Sequence, residues 1–183
     1  DLTIQNCVFV NAGNTALLVN HFAGNVKVLN NIFIANRIIG ANVLAKQNKL
    51  GAVDYEFAYN TVMFTWTRTK EFGDMGFGVR SNTNCFSRIH NNLLALNMMA
   101  GFDNTKGDPK TKKVWLDKNA FILNKKGDVT VTVSPSILWL NVADDQFEDL
   151  EDAPSIESLS GNISISDPSI FKGKINQAYL EGF

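Results

Sequence analysis

The feature that most constrains this chain is an asparagine recurring inside runs of aliphatic and aromatic residues. "VKVLNNIFIAN" (26–36), "SRIHNNLLALN" (87–97) and "VWLDKNAFILN" (114–124) share a template: apolar, any, apolar, any, any, Asn, any, apolar, any, any, Asn. One copy has Ser87 in the first apolar column. Asparagine is a poor strand former and is costly to bury without hydrogen-bond partners. Its return at fixed places within a phrase therefore has to serve the architecture.

Two further stretches fit the template less closely. "LTIQNCVFVNA" (2–12) puts Cys7 in the first Asn column and Ala12 in the second, and "YEFAYNTVMFT" (55–65) supplies Asn60 and Thr65. The first column is then Cys7, Asn31, Asn60, Asn92 and Asn119, at intervals of 24, 29, 32 and 27 residues (31 minus 7, 60 minus 31, 92 minus 60, 119 minus 92). Within each phrase residues alternate with period two, the signature of a strand. Leu2, Val26, Tyr55, Ser87 and Val114 form one inward column, and Ile4, Val28, Phe57, Ile89 and Leu116 form another. The register places Phe33 inward and leaves Asn30 at a corner.

Units of this length are too long for hairpins, and an evenly spaced sandwich would show tight turns such as Asn-Gly between its strands. The intervening stretches "LAKQNKLGAV", "TWTRTKEFGDMGFGVRSNT" and "GFDNTKGDPKTKK" are polar, charged or glycine-bearing and read as corner insertions. A solenoid satisfies all of this: each turn contributes short strands, turns pair in parallel, and several must stack to bury a common core.

The pattern resembles the right-handed parallel β-helix, the pectate-lyase-like family of repeats. The resemblance covers residues 1–142 and rests on the Asn and apolar columns. It implies an all-β solenoid in which stacked asparagines form ladders, because strands pair ~4.8 Å apart and a carboxamide both donates and accepts. "DVTVTV" (128–133) and "ILWLNV" (137–142) read as strands of a final turn. Residues 143–183 read as an acidic loop followed by an irregular C-terminal cap closing the core. The acidic run "DDQFEDLED" (144–152) would attract Ca²⁺, although its spacing is not that of an EF-hand; a solvated loop is the simpler reading.

Composition narrows the functional classes. With 17 basic against 18 acidic residues, the chain lacks the charge excess that phosphate neutralisation requires, which argues against nucleic acid as a partner. No apolar run approaches the ~20 residues of a membrane span, and Cys7 and Cys85 have no metal-ligand spacing and read as packing residues rather than a disulfide. The first residues already read as a strand, so no signal peptide is visible, and the chain opens inside the repeat. It is expected to be a mature product or part of a longer parent chain.

No specific enzyme motif is present, and the resemblance transfers no catalytic residue. The outward columns offer a candidate instead. One reads Thr3, Lys27, Glu56, Arg88, Trp115, and the next reads Gln5, Leu29, Ala58, His90, Asp117. Arg88, His90 and Lys118 are the expected catalytic groups: a cation to neutralise a uronate, and a residue to move a proton. Glu56, Tyr59, Trp115, Asp117 and, from the long insertion, Arg80 are the expected substrate contacts, with Trp115 stacking on a sugar. The fold resemblance implies a secreted, periplasmic or cell-surface protein that acts on or binds an acidic polysaccharide, with β-elimination by a polysaccharide lyase as the candidate chemistry. Two readings stay open beside it: a non-catalytic structural or carbohydrate-binding part of a larger enzyme or adhesin, and a merely solvated polar face.

Overall fold

The computed structural model describes residues 1–20, 24–44, 53–67, 75–81, 85–106, 112–133, 136–142 and 155–171. Its strands come in successive groups of three. The first group is β1 (Leu2–Gln5), β2 (Val8–Val10) and β3 (Leu17–Asn20), and the second is β4 (Gly24–Leu29), β5 (Ile32–Ile34) and β6 (Ile39–Leu44). Then follow β7 (Val53–Ala58), β8 (Thr61–Met63) and β9 (Phe77–Ser81), and after them β10 (Cys85–His90), β11 (Leu93–Ala95) and β12 (Ala100–Asn104). The last strands are β13 (Lys113–Asp117), β14 (Ala120–Ile122), β15 (Gly127–Val133), β16 (Ser136–Leu140), β17 (Ile156–Ser158) and β18 (Ile163–Ile165).

Each group sends one strand to each of three six-stranded sheets. The first sheet runs β1-β4-β7-β10-β13-β17, the second β2-β5-β8-β11-β14-β18, and the third β3-β6-β9-β12-β15-β16. Pairing is parallel throughout except between β15 and β16. The register follows the template: Val26 pairs with Leu2 and Tyr55, Ser87 with Tyr55 and Val114, and Ile89 with Phe57 and Leu116.

The period-two pattern decides which side chains meet in the middle. Val28, Phe57, Ile89 and Leu116 from the first sheet pack with Phe33, Val62, Leu94 and Phe121 from the second and Ala41, Val79, Phe102 and Val129 from the third. Full burial of each large apolar side chain contributes about 1.5–3 kcal/mol. Phe9 stacks on Phe33 at 4.6 Å between ring centroids, so even the first group shares this core.

The first-column asparagines Asn31, Asn60, Asn92 and Asn119 sit at the corner between the first and second sheets and are buried. Asn60 Oδ1 accepts from Asn31 N at 2.8 Å and Asn31 Nδ2 at 3.0 Å, and Asn92 and Asn119 repeat this for the strands before them. Each Nδ2 also donates to a strand carbonyl, Asn60 to Val28 O and Asn92 to Phe57 O, both at 2.9 Å. A carboxamide can meet its hydrogen-bonding needs this way without water, which is why burial is tolerated. Asn30 is at the corner as expected, with φ 52° and Nδ2 donating to Asn6 Oδ1.

Three expectations change. The stretches "TWTRTKEFGDMGFGVRSNT" and "GFDNTKGDPKTKK" are not only insertions, for Phe77–Ser81 and Ala100–Asn104 are strands of the third sheet. "DVTVTV" and "ILWLNV" do not lie along one turn: β16 folds back antiparallel on β15, pairing Thr130 with Trp139. Within the segment read as an irregular cap, β17 and β18 extend the first two sheets, and Asn162 extends the asparagine column by accepting from Asn119 N at 2.8 Å. A register shift at Val114/Trp115 accommodates this group and hides it from the template. The acidic run 144–152 lies outside the described residues. Cys7 is exposed and Cys85 buried, and no disulfide joins them.

Candidate functional site

The outward face of the first sheet carries the predicted columns in the predicted register. Arg88 lies between Glu56 and Trp115, and His90 between Ala58 and Asp117. Outward positions here are polar because they alternate with the buried column, and parallel pairing brings residues 32 or 27 apart in sequence to neighbouring strands.

Arg88, His90, Asn91, Trp115, Asp117 and Lys118 line a concavity of ≈ 330 Å³. A second, of ≈ 310 Å³, is lined by Asn25, Lys27, Asp54, Glu56 and again Arg88, with Val26 and Tyr55 at its floor. Arg88 thus joins the two into a trough crossing β4, β7, β10 and β13. Its guanidinium lies 5.1 Å from the Trp115 ring centroid and 3.5 Å from Asp54 Oδ1. One face of Trp115 is therefore taken by Arg88, and the indole's first role is to support that cation rather than to offer a bare platform.

His90 Nε2 is 3.4 Å from Glu56 Oε1, and Nδ1 is 2.9 Å from Asn91 Oδ1. Both ring nitrogens thus face an oxygen acceptor. Glu56 also pairs with Lys27 at 3.4 Å, and Tyr59 packs its ring edge-on to His90 at 5.9 Å. Asp117 is held by Ser158 Oγ at 2.5 Å and Ser160 N at 2.9 Å. The Lys118 ammonium makes no ion pair among the described residues and is an available positive charge beside Arg88.

Arg80 is placed elsewhere. It belongs to β9 in the third sheet, is buried, and forms an ion pair with the buried Asp103, its guanidinium 5.0 Å from the Phe77 ring centroid. Glu56, Tyr59, Arg88, His90, Trp115, Asp117 and Lys118 come together; Arg80 does not join them. Sequence reasoning passed over Asp54, which lies on the same outward face two residues before Glu56, and Asn91, which repeats the Asn30 corner position.

It also passed over a buried polar group between the third and first sheets. Lys112 is buried, its Nζ donating to Asn104 O at 3.0 Å and Lys106 O at 2.6 Å. Desolvation pushes its pKa down to about 8, against the opposing pull of Asp103 and Cys85. Thr130 and Thr105 donate to Asp103 Oδ1 at 2.8 and 2.7 Å. These contacts make the group an interior brace. Among the described residues there is no cluster of three or more His, Cys, Asp or Glu able to hold a metal ion, and no helix long and apolar enough to cross a membrane.

Comparison with protein-family models, curated proteins and solved structures finds no match to this chain.

Proposed function

We propose that the chain is a right-handed parallel β-helix with an asparagine ladder, and that its first sheet binds an acidic, extended polysaccharide outside the cell. The observation that carries this is Arg88 in the trough. It is half exposed, backed by an indole, and shared between two concavities lined by ionisable groups. A uronate carboxylate shares the half-exposed Arg88 guanidinium with Asp54, which meets it on one side at 3.5 Å. Lys118 supplies a second cation on the same side. A polymer lying along the trough meets a new strand every ~4.8 Å, which suits a repeating ligand.

Affinity electrophoresis in gels containing polygalacturonate, alginate or a neutral glucan tests this. Retardation by the uronates alone is expected, and equal retardation by the neutral glucan defeats the proposal.

A catalytic reading follows from His90 and Lys118 sharing one concavity with Arg88. In β-elimination, neutralising the uronate eases loss of the C5 proton; the C5–H electrons form the C4=C5 bond as the C4–O bond breaks, and the departing oxygen takes a proton. Lys118 or His90 is the group to exchange these protons, and Glu56 orients the imidazole. Uronate polymers followed by the ultraviolet absorbance of the unsaturated product should show turnover that is lost in H90A; full activity in H90A removes His90 from the mechanism.

A further inference from the structure

The asparagine columns follow one rule of hydrogen bonding, and the second column departs from it at Asn124. In a complete step the backbone N–H and the Nδ2 of one asparagine converge on Oδ1 of the next. Asn31 meets Asn60 in this way at 2.8 and 3.0 Å, and Asn97 meets Asn124 at 3.1 and 2.9 Å. The last step of the first column is also complete, since Asn119 meets Asn162 Oδ1 at 2.8 and 3.2 Å. In the second column Asn36 is followed by the buried Thr65, which closes that step without a carboxamide. Asn124 differs. It donates from Nδ2 to Leu94 O at 2.9 Å, but its backbone N–H and second Nδ2 hydrogen have no acceptor among the described residues.

The sequence accounts for the interruption. The 43 residues that separate Asn119 from Asn162 put Asp167 after Asn124 (124 plus 43). Asp167 is engaged elsewhere: its carboxylate accepts from Ser169 N at 2.8 Å and from Ser169 Oγ at 2.6 Å, at the start of the 3₁₀ turn Pro168–Phe171. Pro168 then has no N–H to give to Asn124 O, whereas at the preceding corner Lys125 N donates to Asn97 O at 3.0 Å. Asn124 therefore lines a cavity of ≈ 330 Å³ together with Lys125, Lys126, Asn141 and Ser166, and Leu123 adds an apolar wall. Both lysines are exposed and form no ion pair among the described residues. The neighbouring Asp128 is buried and accepts from Val142 N at 3.0 Å.

We infer that this interrupted step is a seat for the carboxylate of a small organic acid. A planar carbonyl oxygen stands at the equivalent point after Asn31, Asn60, Asn92, Asn97 and Asn119, so a carboxylate oxygen reproduces a geometry the fold already uses. Two N–H donors fixed in advance by the ladder form a concave anion site of the kind built from backbone amides. Hydrogen bonds to an ionised acceptor are roughly twice as strong as neutral ones, and Lys125 and Lys126 add positive charge beside them. Leu123 suits the carbon body of the acid. The seat lies at the corner between the second and third sheets, apart from the trough on the first.

Titration of the ¹⁵N-labelled whole chain with sodium propionate, followed at the Asn124 backbone and side-chain amide resonances, tests this. Saturable shifts of both are expected, and n-propanol at the same concentrations should produce neither. The double variant K125A/K126A, at two exposed positions, should weaken propionate binding at least ~tenfold with an unchanged far-ultraviolet circular dichroism spectrum. D167N keeps an acceptor for Ser169 N and should bind propionate within about twofold of the wild type. Asn124 resonances that do not move overturn the inference, as does a K125A/K126A variant that binds like the wild type. Inorganic phosphate saturating the same resonances below the propionate concentration would overturn the carboxylate assignment. A tenfold gain in D167N would show that Asp167 itself closes the step, which also overturns a seat for an external acid.

Discussion

The asparagines do two different jobs. Those in the first column are interior connectors, Asn60, Asn92 and Asn119 each satisfying a backbone amide and a carboxamide of the preceding group and Asn31 the backbone amide of Cys7; Asn6, Asn30 and Asn91 at the corner adopt left-handed φ. Replacing Asn92 by Leu leaves Asn60 N and one of the two Asn60 Nδ2 hydrogens without an acceptor in a buried corner, while the other stays on Val28 O. With ~1–3 kcal/mol per orphaned buried group, the N92L variant should lose about 3 kcal/mol of stability in urea denaturation. A loss below 1 kcal/mol would mean that the column contributes little. The template made these residues legible because their spacing within a phrase is invariant. Asn162 escaped because one extra residue at the Val114/Trp115 shift breaks that spacing.

Lys112 was not legible at all, since a lysine beside a charged loop reads as solvated. Its lowered pKa sets a sign. Folding holds it near 8 against an unfolded value of 10.5, so the unfolded chain binds more protons between these values. Stability therefore rises from this group as pH goes from 8 to 10.5, by about 3 kcal/mol in full, and below pH 8 the whole cost is present. The K112M variant should lack this rise, and a thermal-melting series across that range measures it. An identical slope in K112M would show that the ammonium is not the source.

At the scale of elements, the first two sheets are readable up to β14, whereas of the third only β15 and β16 are. Its other strands lie within stretches whose glycines suggest loops. Those glycines are packing positions: a Cβ on Gly78 would stand 2.7 Å from Gly101 O, and one on Gly101 would stand 2.6 Å from Phe121 Cδ1. The third sheet closes on the second only because Gly40, Gly78 and Gly101 leave that space, and "IIGANV", "MGFGVR" and "MAGFDN" carry this signal in the sequence. G101V should cost at least ~2 kcal/mol through overpacking, read as a fall in urea midpoint with unchanged slope. The candidate site was legible because outward columns follow from the same register as inward ones. Arg80 lies away from the site because its stretch, which reads as a loop from its glycines, forms a strand of the third sheet.

At the scale of the molecule, one construction yields three unlike surfaces. The first sheet offers charge, the second an apolar face, and the third a buried ion pair near the antiparallel β16. Function is proposed for the first because exposed cations line a continuous trough there. Calorimetric titration with a tetragalacturonate and its neutral reduced analogue tests this most directly. We expect binding to the uronate only, weakening with salt, and reduced ~10–100-fold in R88A, as loss of a charge-assisted hydrogen bond of about 1.5–3 kcal/mol dictates. Equal affinity for the neutral analogue, or for R88A and the wild type, would contradict the first sheet as an acidic-glycan site.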